Sequence, residues 1–215
     1  MVAGLGGGTA RRETYRHGDL RRALVEAGKE MARGGGPEAV VLREATRRVG
    51  VAPSAAYRHF ADRRELLDAV CSASQADLAV AIEKELAGLP REGDPADAAR
   101  ASLRGVGTGY LRFAREEPGL FRTAFSASDN LRGAASPARA GRGGLTPFQL
   151  LGAALDEMVG AGILPAERRP GAEFLAWSAV HGLAMLLIDG PLRGLDGATA
   201  HGVGQRLIDM VERGL

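Results

Sequence analysis

The chain has one cysteine, Cys71, so it can form no internal disulfide, which fits a reducing cytoplasm. Its four histidines are widely spaced and, with a lone cysteine, give no metal-ligand spacing, so neither a metal nor a cofactor is expected. Lysine is scarce: only Lys29 and Lys84 occur, and every other basic side chain apart from histidine is arginine. No apolar run reaches the ~18 residues a membrane span needs. The first ten residues lack the basic start and apolar core of a signal peptide. A cytoplasmic location with no membrane partner is therefore expected. Enzymatic groupings are missing too. There is no Ser/His/Asp arrangement and no zinc motif, and the two GGG runs lack the Lys-Ser/Thr of a phosphate loop. An enzyme is not expected.

What is present is enough for one large domain or two small ones. The chain has 215 residues, of which 45% are apolar and 25% charged. The net charge of +2 hides an asymmetry. Residues 1–70 carry 13 Arg/Lys against 9 Asp/Glu, whereas residues 71–215 carry 15 against 17. A basic N-terminal third points to an anionic partner, nucleic acid first and acidic lipid second. On charge alone, a solvated surface explains the excess equally well.

Helical periodicity runs through the chain and strand alternation does not, so the fold class is all-α with about nine helices. Residues 1–13, Gly-rich and polar, are expected to be a disordered arm. From Asp19 the residues Leu20, Leu24, Ala27 and Met31 share one helix face, and the GGGP run at 34–37 ends that helix. A short helix over 42–49 is broken by Gly50. Pro53 is placed to open a third helix, closed by Phe60. Asp62 reads as the N-cap of a long fourth helix reaching about Leu89, with Glu65 as capping-box partner. Further helices are expected over about 95–116, in a short piece from Pro118, around Phe148–Met158, around Phe174–Ile188 and around Val203–Val211. The Ser/Gly/Ala/Arg-rich stretch 126–144 is expected to be a mobile connection.

The stretch REATRRVGVAPSAAYRHF, residues 43–60, has helix-turn-helix form: a helix, a tight turn at glycine and a second helix. That form places the second helix in a major groove while the first braces it across the backbone. Pro53, Ser54 and Ala55 stand at its start, where small side chains allow close approach to base edges. Tyr57 and His59, with Arg58 between them, fall on different sides of a helix, which suits separate phosphate contacts better than joint catalysis. Arg43 and Arg63 are further candidate anchors, and Tyr15 and Arg16 could reach a phosphate or the minor groove.

Residues 15–70 resemble the DNA-binding domain of the tetracycline-repressor (TetR) family of bacterial regulators. The resemblance is carried by YRHGDLRRALVEAG and LREATRRVGVAPSAAYRHFADRRELLDAV. Within them Gly50, Val51, Tyr57, His59, Phe60 and Leu66 fit the family's spacing. It implies a homodimer with two N-terminal heads on a palindromic DNA operator, and a C-terminal helical domain that dimerises and takes a small-molecule effector. On this basis residues 14–62 form the helix-turn-helix domain and 63–215 the regulatory domain. The chain departs from the family pattern at three points. Ala52 replaces the usual capping serine. Arg63 replaces a lysine. Thr46 stands where a small alanine normally packs, with Ala45 and Ala56 making room for it. The alternative is a helical ligand-binding or protein-interaction module without operator-specific DNA binding.

WSAVHGLAML, residues 177–186, resembles a subgroup of the family with a W-x-x-x-H-G signature. Trp177 and His181 lie i, i+4 on one helix face and read either as a pocket wall with one polar handle or as core. Tyr110, Phe113, Phe121, Phe125 and Met158 are candidate pocket residues, with plain core as the alternative for each. Phe174, Ser178, Gly182, Met185, Val203, Leu207 and Met210 are candidates for the dimer interface, Gly182 by permitting close helix approach.

Overall fold

The computed structural model describes residues 17–90, 93–126 and 133–215. Tyr15, Arg16 and the arm expected over 1–13 lie outside the described residues. Among those described, the regular structure is entirely helical. Its nine α-helices are α1 (His17–Gly35), α2 (Leu42–Val49), α3 (Pro53–Ala56), α4 (Arg63–Ala87), α5 (Pro95–Glu116), α6 (Pro118–Ala124), α7 (Pro147–Gly160), α8 (Ala172–Ile188) and α9 (Gly197–Gly214).

Local chemistry sets most of the boundaries. Gly50 ends α2 at φ 75°, ψ 31°, a left-handed conformation that costs glycine nothing. Asp62 caps α4 by accepting from the Glu65 N–H at 2.9 Å. The Glu65 carboxylate reaches one residue further back than a standard capping box, accepting from Ala61 N–H at 2.6 Å. Thr146 and Gln149 form a complete capping box on α7. Asp196 accepts from both Ala198 and Thr199 N–H at the start of α9.

Helices α1 to α3 close around Leu24, Val40, Ala45 and Phe60, and α4 completes that core with Leu66 and Val70. α4 then continues for 25 residues, on the order of 37 Å at 1.5 Å per residue, into the C-terminal helical domain. There α5 is central, packed on α4, α7, α8 and α9. Gly109 lets α5 touch the backbone of α4, because a Cβ there would overlap Ile82.

Three expectations need correction. The helix expected to run from Pro53 to Phe60 ends at Ala56, and residues 57–59 form a turn. Ala52 offers no side-chain cap, and the tightened bond from His59 N–H to Ala56 O (2.8 Å) turns the chain so that Phe60 is fully buried. α4 stops at Ala87 rather than Leu89, with Gly88 as its C-cap. The described part of the connection expected to be mobile, residues 133–144, is packed on α4. There the Glu83 carboxylate accepts from Arg142 N–H (3.0 Å) and Gly143 N–H (2.8 Å).

Candidate functional site

The helix-turn-helix surface is built over a small, tightly filled junction. Ala45 and Ala56 are fully buried and Thr46 nearly so, its hydroxyl donating to the Arg43 carbonyl at 2.7 Å. A buried threonine is tolerated because its one donor is satisfied within its own helix. On the outer side Arg43, Pro53, Ser54, Tyr57 and Arg58 are exposed, Tyr57 by 61%. Ala55 is half-buried against the core, and His59 is half-buried. Arg63 has another task in this structure. Its guanidinium donates to the Val40 and Pro37 carbonyls, both at 2.8 Å, and so ties the α1–α2 connection to the start of α4. On α2 the Glu44 carboxylate binds Arg47 and Arg48, and hydrogen bonds from Arg47 first and Arg48 second pull its pKa down to about 2. Two of the basic side chains of α2 are thereby shared with an acid on the same helix.

The second feature is a cavity of ≈ 410 Å³ bounded by α5, α7, α8, α9 and the end of α6. Of the expected pocket residues, Tyr110, Phe125, Trp177 and His181 line it. Phe121 lies behind the wall, stacked on the His181 ring with centroids 5.6 Å apart. Phe113 and Met158 are buried core outside the lining. On α5 the lining runs from Leu103 to Tyr110, and Phe113 lies about one turn past its end. Leu207, expected at a dimer interface, is among the residues that line the cavity, on the side of α9 that faces α5. Sequence reasoning missed Phe148, Gln75 and Arg139 as lining residues. Phe148 carried a signal as an aromatic on an apolar helix face, whereas Gln75 and Arg139 carried none.

The cavity's polar side is a relay. Trp177 Nε1–H donates to the Tyr110 hydroxyl at 3.1 Å, and that hydroxyl lies 2.8 Å from His181 Nδ1. Among the described residues Nδ1 is the one acceptor within reach of the hydroxyl hydrogen, so the hydroxyl donates to Nδ1, which assigns the imidazole proton to Nε2. Burial keeps this arrangement neutral, lowering the pKa of His181 and raising that of Tyr110.

The outer face of α8 is apolar and is left uncovered by the other described residues. Phe174, Ser178, Gly182 and Met185 are exposed along it, and Leu175 (66%) and Leu186 (43%) extend the stripe. A Cβ on Gly182 would meet no atom within 4 Å. On α9, Met210 is exposed and Val203 half-buried.

The short helix α6 lies between the cavity and α1. At one end Ala124 and Phe125 line the cavity, and the Ala124 carbonyl accepts from Gln75 Nε2 of α4 at 2.6 Å. At the other end Gly119 packs directly on the Ala32 and Arg33 carbonyls, and Glu117 pairs with Arg33 at 2.8 Å.

Two family models match the chain. "Tetracyclin repressor-like, C-terminal domain" covers residues 103–211 and "Bacterial regulatory proteins, tetR family" covers residues 24–70. No curated protein is significantly similar. Among solved structures, a Rhodococcus sp. RHA1 protein of unknown function is 26% identical with a TM-score of 0.72, over 95% of this chain and 99% of that one. A TetR family transcription regulator from Marinobacter aquaeolei VT8 is 19% identical with a TM-score of 0.60, over 90% and 94% of the two chains. The transcriptional regulator FadR from Bacillus subtilis, solved with stearoyl-CoA, is 12% identical with a TM-score of 0.64, over 90% and 98%. The last two are similar in fold.

Proposed function

The chain belongs to the tetracycline-repressor family, and from that premise we propose that it is a ligand-responsive transcriptional repressor. In this reading it binds a palindromic operator as a homodimer and is released when a small molecule occupies the cavity behind Trp177. Residues 14–62 form the DNA-binding head and 63–215 the regulatory and dimerising part. Arg43, Ser54, Tyr57 and Arg58 are the head's exposed candidates for DNA contact. Pro53 and Ala55 shape its approach to the groove. His59 and Arg63 serve at the margin, Arg63 mainly by fixing α4 to the head, and Tyr15 and Arg16, outside the described residues, remain candidates for DNA contact from the sequence. Trp177, His181 and Gly182 are the subgroup grouping, with the first two in the cavity wall and Gly182 on the outer, dimerising face. The protein works in the cytoplasm, at the nucleoid.

One observation carries this reading. Phe125 and Gln75, both at the cavity, sit on or beside α6 and α4, and both of those helices pack on α1 of the head. An occupant that displaces Phe125 therefore acts on the elements that set head position. Operator binding requires the two heads to be about 34 Å apart, one helical turn of DNA. A ligand that favours another separation weakens binding by linkage.

The test is DNA binding by the full chain. Specific retention of a fragment from its own promoter, with affinity falling steeply as salt rises through counterion release, is the expected result. Retention no better than bulk DNA would favour a helical ligand-binding module without operator specificity, a reading to which the uncapped four-residue α3 lends some weight.

A further inference from the structure

Three properties of the cavity wall restrict what can enter it. The first is shape. Trp177 is flanked by two other rings, with Phe125 at a centroid distance of 6.1 Å and Phe148 at 6.0 Å, near perpendicular to it. A flat ring system placed among them continues the tilted and edge-to-face contacts these rings already make.

The second is charge. Among the described residues the lining holds one guanidinium, from Arg139, and no carboxylate. A cation entering this space would lose its hydration with no anion to receive it, which is costly. The amide oxygen of Gln75 is a neutral acceptor and does not replace a carboxylate.

The third is the end of the relay. Trp177 Nε1 and the Tyr110 hydroxyl are engaged with each other, and the hydroxyl engages His181 Nδ1. Among the described residues His181 Nε2 has no hydrogen-bond partner, although His181 lines the cavity. With Nδ1 accepting the hydrogen bond of the tyrosine hydroxyl, Nε2 carries the imidazole hydrogen and is a donor waiting for an acceptor.

Building on the effector reading of this cavity, we propose that it takes a flat aromatic compound, uncharged or anionic, whose oxygen acceptor is received by His181 Nε2–H, and that it rejects cationic analogues. The ring system lies against Trp177, and the acceptor is a ketone, phenolic or carboxylate oxygen.

The test uses four probes with one ring system: naphthalene, 2-acetylnaphthalene, 2-naphthoate and 2-naphthylmethylammonium. Binding to the full-length protein is measured by calorimetry without DNA. Quenching of Trp177, the chain's only tryptophan, locates the binding site. The ketone and the carboxylate are expected to bind about three- to tenfold tighter than naphthalene, the range of one added hydrogen bond, and the ammonium compound more weakly than naphthalene. His181→Phe should erase the advantage of the two acceptor probes over naphthalene, read as the ratio of the affinities measured within that variant. His181→Gln, which places an amide N–H near the same position, should restore part of the advantage. The proposal is overturned if none of the oxygen-bearing probes binds, if the ammonium compound binds as well as the carboxylate, or if His181→Phe leaves the order intact. Binding in the expected order without any effect on DNA affinity would count against the regulatory reading and not against the ligand class.

Discussion

Gly119 of α6 rests on the Ala32 carbonyl of α1 with no room for a side chain. A Cβ there would overlap both that oxygen and the Arg33 carbonyl, which are backbone atoms of a packed helix. This contact joins the helix that ends at the cavity to the helix that supports the helix-turn-helix head. Gly119→Ala must push the two apart, at about 1–3 kcal/mol of overpacking. The expected result is a lower thermal midpoint together with altered DNA affinity in the absence of any ligand. Gly202→Ala is the matched control. It lies within α9 with nothing within 4 Å of the added methyl, and alanine there should stabilise by roughly 0.5–1 kcal/mol. Equal effects of the two substitutions would remove α6 from the coupling.

The Tyr110 hydroxyl serves two partners, so Tyr110→Phe should cost more than a lone surface hydrogen bond. It leaves the Trp177 indole N–H without its acceptor in a part-buried site, worth about 1–3 kcal/mol, toward the lower end where water can reach it. Denaturant unfolding measures this loss. A change within error would mean that water replaces the hydroxyl.

His181 gives a pH signature of definite sign. Burial lowers its folded pKa below the ordinary 6.5, so the unfolded chain takes up this proton before the folded one does. Its contribution to stability is complete above pH 6.5 and is lost as pH falls from there through the lower folded value. The groups facing it are Tyr110, which stays protonated, and Arg139 elsewhere on the cavity wall. Urea midpoints measured between pH 7.5 and 5 should fall in the wild type and fall less in His181→Gln. Parallel curves would place the pH dependence elsewhere.

The long helices were legible in the sequence because their signals are local. Leu20, Leu24 and Met31 repeat on one face and prove buried, Asp62 caps α4, and the span expected over 95–116 is α5. Features that depend on distant partners were not legible. α3 stops after one turn because Phe60 is drawn into a core shared with α1 and α4, which no feature of Pro53–Ala56 reveals. Arg63 looks like a free cation in the sequence, yet its partners are carbonyls 23 and 26 residues away. Tyr110 and Phe113 lie on one helix, and only the packing of α8 and α9 against α5 decides which of them meets the cavity.

Ala52 begins α3 in an extended conformation, φ −66° and ψ 143°, suited to a capping residue, but it has no oxygen to offer. Ala52→Ser supplies one within reach of the first-turn N–H groups. The expected gain is about 1 kcal/mol in unfolding free energy, with slower amide exchange at Ser54 and Ala55. Unchanged exchange at those amides would mean that the turn at 57–59, and not the missing cap, limits the helix.

The exposed stripe on α8 makes oligomeric state a sharp test of the homodimer reading. Leu175 and Leu186 are 66% and 43% exposed and touch solvent rather than core, so charging them leaves the fold's interior untouched. Leu175→Glu with Leu186→Glu should therefore keep the thermal midpoint nearly unchanged while shifting sedimentation from dimer to monomer. Two heads held together bind DNA by an effectively intramolecular second step. Losing the link should lower operator affinity by about a hundredfold or more, although no DNA contact has been altered. If the double variant still sediments as a dimer, the α8 stripe is not the interface. If it becomes monomeric and still binds DNA as tightly as the wild type, one head suffices and a paired operator is not required.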